Sequence, residues 1–167
     1  KLEREIKKGD SEFWKLFAPV KDAFWGRNYY THILWSLETL VWYRSFAVRA
    51  TILLAELCEK NFEYKMVNSP SNSLYEVFCL WHPQICLNTA DRLKLLEKLC
   101  DNYPFSGQKL LSSLLPNERE ICGNIHRPLW RAPEFEFSDS ITVQEYNNSV
   151  DVVIQLCINK LSDNVEG

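Results

Sequence analysis

The sequence predicts an all-α fold, and three observations carry that expectation. Apolar residues recur at three- and four-residue spacing over several stretches, which places them on one face of a helix. Residues that start and stop helices bracket those stretches. Glycine, which costs about 1 kcal/mol against alanine inside a helix, occurs only five times in 167 residues.

Residues 1–8 read as a charged helical end, broken by Gly9. Asp10 or Ser11 can cap a short helix carrying Phe13, Trp14, Leu16 and Phe17, which Pro19 stops or bends. A turn follows around Gly26 and Asn28. From Thr31 to Tyr43 a helix is expected, with Ile33, Leu34, Leu37, Leu40 and Val41 along one face and Trp35 and Trp42 flanking it. Ser45 is the expected cap of the next helix, which runs to about Lys60 with Phe46, Val48, Ile52, Leu53 and Leu57 as candidate core. The link between these two is very short, which implies an antiparallel hairpin.

Turn chemistry marks Asn68-Ser69-Pro70-Ser71-Asn72 as a loop. Ser73 and Glu76 stand at capping-box spacing ahead of Leu74, Val77, Phe78 and Trp81. That helix should end near His82, because Pro83 disfavours helical geometry at the residue before it. Thr89 is the expected cap of a helix with Leu93, Leu95, Leu96 and Leu99. Pro104 suits the first turn of a helix bearing Leu110, Leu111, Leu114 and Leu115, closed by Pro116.

Residues 116–140 contain Pro116, Pro128 and Pro133 and keep no period, so they are expected to be one long irregular segment, pinned by Ile125, Leu129 and Trp130. Thr142 and Glu145 then start a final helix with Tyr146, Val150, Val153, Ile154, Cys157 and Leu161 on one side. Irregular helical hairpins of this kind fit either an α-solenoid-like stack or an orthogonal bundle. The chain reads as a single helical domain over residues 1–167. Its start lacks methionine and falls inside a charged helical pattern, so a fragment of a larger polypeptide is expected.

At 46% hydrophobic and 25% charged residues the composition is globular. A formal charge of −3 weighs against a nucleic-acid partner, and the densest positive group (Lys1, Arg4, Lys7 and Lys8) is diluted by Glu3 and Glu5. Apolar runs such as Ile52 to Ala55 and Val152 to Ile154 fall far short of the roughly 20 residues that cross a bilayer, so no membrane partner is expected. Six cysteines without a CxxC pair read as free thiols of a reducing cytoplasm, and Cys58, Cys100 and Cys157 fall near the ends of apolar helical runs.

No glycine-rich phosphate loop is present, and no cofactor is expected for this segment. Two constellations with possible chemistry stand against that bland reading. Cys79, His82 and Cys86, completed by Cys122 and His126, offer thiolates and imidazoles of the type zinc takes, although the spacing matches no common zinc module. Cys122 with His126, or Cys86 with His82, would make a thiol–imidazole dyad if the geometry lowered the thiol pKa. A small helical enzyme or zinc protein is therefore the alternative to a non-catalytic scaffold.

The six tryptophans are mostly expected as wedges between helices. Trp35, Trp42 and Tyr43 form the preferred candidate for an exposed protein-binding group, because Trp and Tyr are favoured at binding hot spots. His126, Arg127, Trp130 and Arg131 are read as loop anchors: the cations can meet carbonyls at helix C-termini, and Arg127 or Arg131 can stack on Trp130. The stretch Glu134-Phe135-Glu136-Phe137 is read as a loop packed by its two rings.

Two stretches taken together carry a resemblance. The first is Asn72-Ser73-Leu74 through Phe78, Trp81, Pro83 and Gln84 to Arg92-Leu93; the second is Leu110-Leu111, Leu114-Leu115-Pro116, His126-Arg127-Pro128 and Trp130-Arg131. Over residues 70–131 this succession resembles a helical segment of large bacterial proteins of the STAND (signal-transducing P-loop NTPase) kind, many of which act in anti-phage defence. The resemblance implies a helical scaffold or sensor module with protein partners or neighbouring domains, and it implies no catalytic role for the motif residues.

Overall fold

The computed structural model describes residues 4–5, 29–60, 68–117, 121–129 and 141–165. Among them the fold is all-α, with six helices and no strand. We label the helices α1 (Tyr29–Leu40), α2 (Arg44–Glu59), α3 (Pro70–Phe78), α4 (Thr89–Asn102), α5 (Pro104–Leu114) and α6 (Val143–Val165). The short helix expected at Phe13 to Phe17, the turn at Gly26, and the acidic–aromatic stretch 134–137 lie outside the described residues.

Helix α2 is the hub, packing against α1, α3, α4 and α5, while α6 lies on α4 and α5. Its inward face holds Ala47, Ala50, Thr51, Leu54, Ala55, Leu57 and Cys58. Three alanines and a threonine leave room for neighbouring helices to approach, and the Thr51 hydroxyl is satisfied by the Ala47 carbonyl at 2.8 Å. Expected core residues Phe46 and Val48 therefore point outward, 44% and 41% exposed. A hydrophobic count favours them, but their positions fall off the arc that faces the other helices.

Helix ends account for the other departures. Helix α2 begins at Arg44 behind Tyr43 with no side-chain cap, so Ser45 lies within the helix. Helix α3 begins a turn early, at Pro70, because the Ser69 hydroxyl accepts from the Asn72 amide and proline suits a first turn. It stops at Phe78, four residues before the expected end. The carbonyls of its last turn are taken by Gln84, whose backbone N–H donates to Val77 O at 3.3 Å and whose side-chain amide donates to Glu76 O at 3.4 Å. Asn88, one residue before Thr89, caps α4 by accepting from the Asp91 amide.

The connection between α4 and α5 is a single residue, Tyr103. Such a tight corner needs Gly107, since a Cβ there would lie 2.6 Å from Cys100 Cα. Ser106 completes the join to α2, its hydroxyl donating to Ala55 O at 2.8 Å and its amide to Glu59 at 2.7 Å. At the start of α6 the capping box forms as the sequence predicts, with Glu145 N donating to Thr142 Oγ1 at 3.2 Å and Thr142 N to Glu145 Oε2 at 3.0 Å. The Thr142 N–H, and the Thr142 hydroxyl donating to the same Oε2 at 2.8 Å, hold the Glu145 carboxyl below its usual range. Replacing Thr142 with alanine should cost about 1 kcal/mol in urea unfolding and fray the first turn of α6; an unchanged midpoint would show that the box contributes nothing.

Candidate functional site

The irregular segment 121–129 is tied across α1, α3 and the turn after α3 by side chains that are themselves buried. Gln84, 2% exposed, grips it like a fork. Its Nε2 donates to Gly123 O at 2.6 Å and its Oε1 accepts from Ile125 N at 3.0 Å. Glu38, 4% exposed on α1, works beside it: one carboxylate oxygen accepts from Ser73 Oγ at 2.6 Å and the other from His126 N at 3.0 Å. Each bond satisfies a group that burial would otherwise leave unpaired. Ile125 fills the space between, 5% exposed.

Aromatic contacts finish the latch. The Trp42 indole donates to His126 O at 3.1 Å, Arg127 lies over the Trp42 ring at 5.0 Å, and the His126 ring stacks on Trp35 at 4.5 Å and 13°. Arg127 thus meets Trp42. Trp130 and Arg131 lie outside the described residues. Leu129, expected to pin the segment, is 88% exposed.

Trp42 is buried and faces the loop, so it offers no exposed anchor to a partner. Trp35 and Tyr43 are half-buried, with Trp35 covered on one face by His126 and met edge-on by His32 at 5.3 Å.

The cysteine and histidine residues of the alternative reading go to separate tasks. Cys86 is buried and its amide donates to Val41 O, while His82 lies against Trp81 with ring centroids 5.7 Å apart. Cys79 is buried at the end of α3, and the Cys122 thiol donates to Gly123 O at 3.5 Å. Among the described residues no group of three or more His, Cys, Asp or Glu is placed to hold a metal ion. The hydrogen bond with Cys79, then burial, pushes the Cys122 thiol far above its ordinary range, which opposes a thiolate nucleophile at neutral pH. His126 turns its ring to Trp35 instead.

Glu76 stands where Gly123 passes, so close that a Cβ on Gly123 would collide with its carboxylate. Burial and the neighbouring Glu38 raise the Glu76 pKa above 4.5. The folded state therefore holds this proton more tightly than the unfolded chain, and stability falls as pH rises through about 4.5 before levelling above the raised value. Glu76→Gln should remove that decline, gaining under about 1 kcal/mol at neutral pH for this half-exposed group and nothing below about pH 4. Urea midpoints along a pH series measure it, and parallel curves for the two proteins would refute it.

A second feature lies at the other end of the fold. Helices α5 and α6 and the end of α4 enclose an open groove of about 420 Å³, walled by Cys100, Leu111, Leu115, Cys157 and Leu161. The Lys160–Asp101 ion pair, at 2.7 Å, sits on its rim. Its floor is dry enough that burial lifts the Cys100 thiol to about 11. Beside it α6 turns Ile154, Ile158 and Leu161 outward, 40%, 51% and 66% exposed.

No protein-family model, characterised protein or solved structure matches this chain. From the sequence Gln84 has no assigned role, Ser73 reads as part of a capping box, and Glu38 and Gly123 are assigned none. The available signal was polarity out of place: Gln84 precedes the apolar run Ile85 to Leu87, and Glu38 interrupts the apolar face of α1.

Proposed function

We propose that this chain is a non-catalytic helical scaffold or sensor module that binds a protein partner or a neighbouring domain of its parent. The observation that carries this reading is the apolar arc of α6. Val153 and Leu156 face the core, yet Ile154, Ile158 and Leu161 continue the apolar surface outward beside the groove. A helix that needed only its contacts with α4 and α5 would place polar residues there. Outward residues at this spacing suit helix-in-groove recognition, in which an amphipathic helix sets apolar anchors against a matching cleft. The polar side chains of the latch are, by contrast, engaged in holding the loop.

The parent protein in this reading is a bacterial anti-phage defence NTPase of the STAND kind, working in the cytoplasm. Support comes from the motif succession over residues 70–131 and from the absence, among the described residues, of any helix long and apolar enough to cross a membrane. The gene that encodes the parent tests the context: a P-loop in the same reading frame is expected, and a frame without one would end the defence assignment.

The module reading is tested by Ile158→Asp with Leu161→Asp in the parent protein. Because both positions are exposed, stability should change by no more than about 0.5 kcal/mol per site. Protection against phage, or binding of the neighbouring domain, should be lost. Retained activity with a folded double variant would remove this face from the function.

A further inference from the structure

We propose that Arg92 is the receptor of a carboxylate site, taking one carboxylate side-on through its Nε–H and Nη2–H donors. The site lies about two turns of α4 before Cys100, the near wall of the α5–α6 groove, and needs no partner there. Leu95, Leu96, Leu99 and Cys100 make the buried face of α4, and Arg92 stands on the same face one turn earlier. A leucine would suit that position. The chain instead buries a guanidinium there, 1% exposed. A long cation usually covers its stem and keeps its head in water, and at this exposure the head does not reach water.

What the head lacks is specific. Among the described residues Nε and Nη2 have no hydrogen-bond partner. These two donors lie on one edge of the planar guanidinium, the edge that meets both oxygens of a carboxylate. Buried water would satisfy the donors and leave the charge; an anion answers both. Glu145, whose charge reaches Arg92 from the first turn of α6, is committed elsewhere. Its Oε2 accepts from the Thr142 N–H at 3.0 Å and from the Thr142 hydroxyl at 2.8 Å.

Charge decides between oxyanions. Burial brings the Arg92 pKa down to about 10, so the group stays positive at neutral pH. One carboxylate neutralises it. A phosphate dianion would leave surplus negative charge in the same dry place, with Glu145 beside it. The ligand is therefore a small carboxylic acid or an acidic side chain of a polypeptide. Helix ends open locally at small cost, and the first turn of α6, exposed from Val143 to Glu145, is the way in. A carboxylate bound there removes the cost of an unpaired buried cation, so ligand and fold stabilise one another.

Titration of the full chain with sodium acetate, at an ionic strength held constant with chloride, tests the proposal. The Arg92 Nε–H resonance should shift and saturate, half-way on the order of 1–10 mM. At about ten times the half-saturating concentration, the folded-to-unfolded ratio in urea should rise about tenfold. Arg92→Met should show no rise. Arg92→Lys, which keeps the charge without the fork, should need at least about tenfold more acetate. N-acetylglutamate amide in place of acetate reads the source: tighter binding assigns the carboxylate to a polypeptide side chain, weaker binding to a small free acid. An unmoved Nε–H resonance, an equal rise in Arg92→Met, an unimpaired Arg92→Lys, or a response to inorganic phosphate and not to acetate would each overturn it.

Discussion

Replacing Gln84 with leucine is expected to lower the unfolding free energy by about 3 kcal/mol and to free the 121–129 segment. Leucine fits the volume, so the loss is one of hydrogen bonding. The substitution strands Ile125 N and Gly123 O, both bound to this side chain, and removes a donor from Glu76 O. Each buried group left unpaired costs about 1–3 kcal/mol, reduced where the loosened segment lets water in. Urea unfolding measures the loss, and amide exchange at Ile125 locates it. Gln84→Glu separates the two prongs of the fork, because it keeps an acceptor for Ile125 N and loses the donor to Gly123 O. An intermediate loss is expected for it. A Gln84→Leu protein within about 0.5 kcal/mol of the parent would mean that apolar packing alone holds the segment.

Arg92→Met should act in the opposite direction, raising stability by about 1–3 kcal/mol. Among the described residues Arg92 is the largest fully buried side chain, 1% exposed, and its Nε and Nη2 have no hydrogen-bond partner there. Burial lowers its pKa to about 10, only partly offset by Cys79 and by the exposed Glu145. A base whose folded pKa lies below its unfolded value binds its proton less well when folded. The penalty is thus present in full below about 10 and fades as pH rises above it.

Methionine keeps the unbranched apolar stem and removes the charge. Arg92→Ala keeps neither and leaves a cavity, so it should destabilise. The pair of variants therefore differs in sign, which a general loss of packing could not produce. Two destabilised proteins would show that the guanidinium contributes favourably where it lies.

The helices were legible because their signals are local. Pro104 at a first turn, the Thr142–Glu145 box, and the leucine spacing of α4 and α5 depend on residues within four positions of one another. The latch was not legible for the converse reason. Gln84 meets Gly123 across 39 positions and Glu38 meets His126 across 88, and no local pattern encodes either distance. Ser73 shows how a correct residue acquires the wrong role. Its spacing to Glu76 suits a capping box, but the helix starts at Pro70, and a serine one turn inside is free to donate to Glu38.

The sequence by itself determined an all-α fold for the described residues, most of the helix ends to within a few residues, and the irregular stretch 121–129 after α5. Backbone hydrogen bonds within a helix span four residues, so propensity, capping and period are enough to write them. Only the tertiary structure decided that Trp42 turns inward onto a loop, that Gln84 and Glu38 reach across to the 121–129 segment, and that α6 carries apolar residues beyond its own packing face. Those outcomes depend on which surfaces the helices bury against each other, and that choice rests on contacts between residues far apart in the chain.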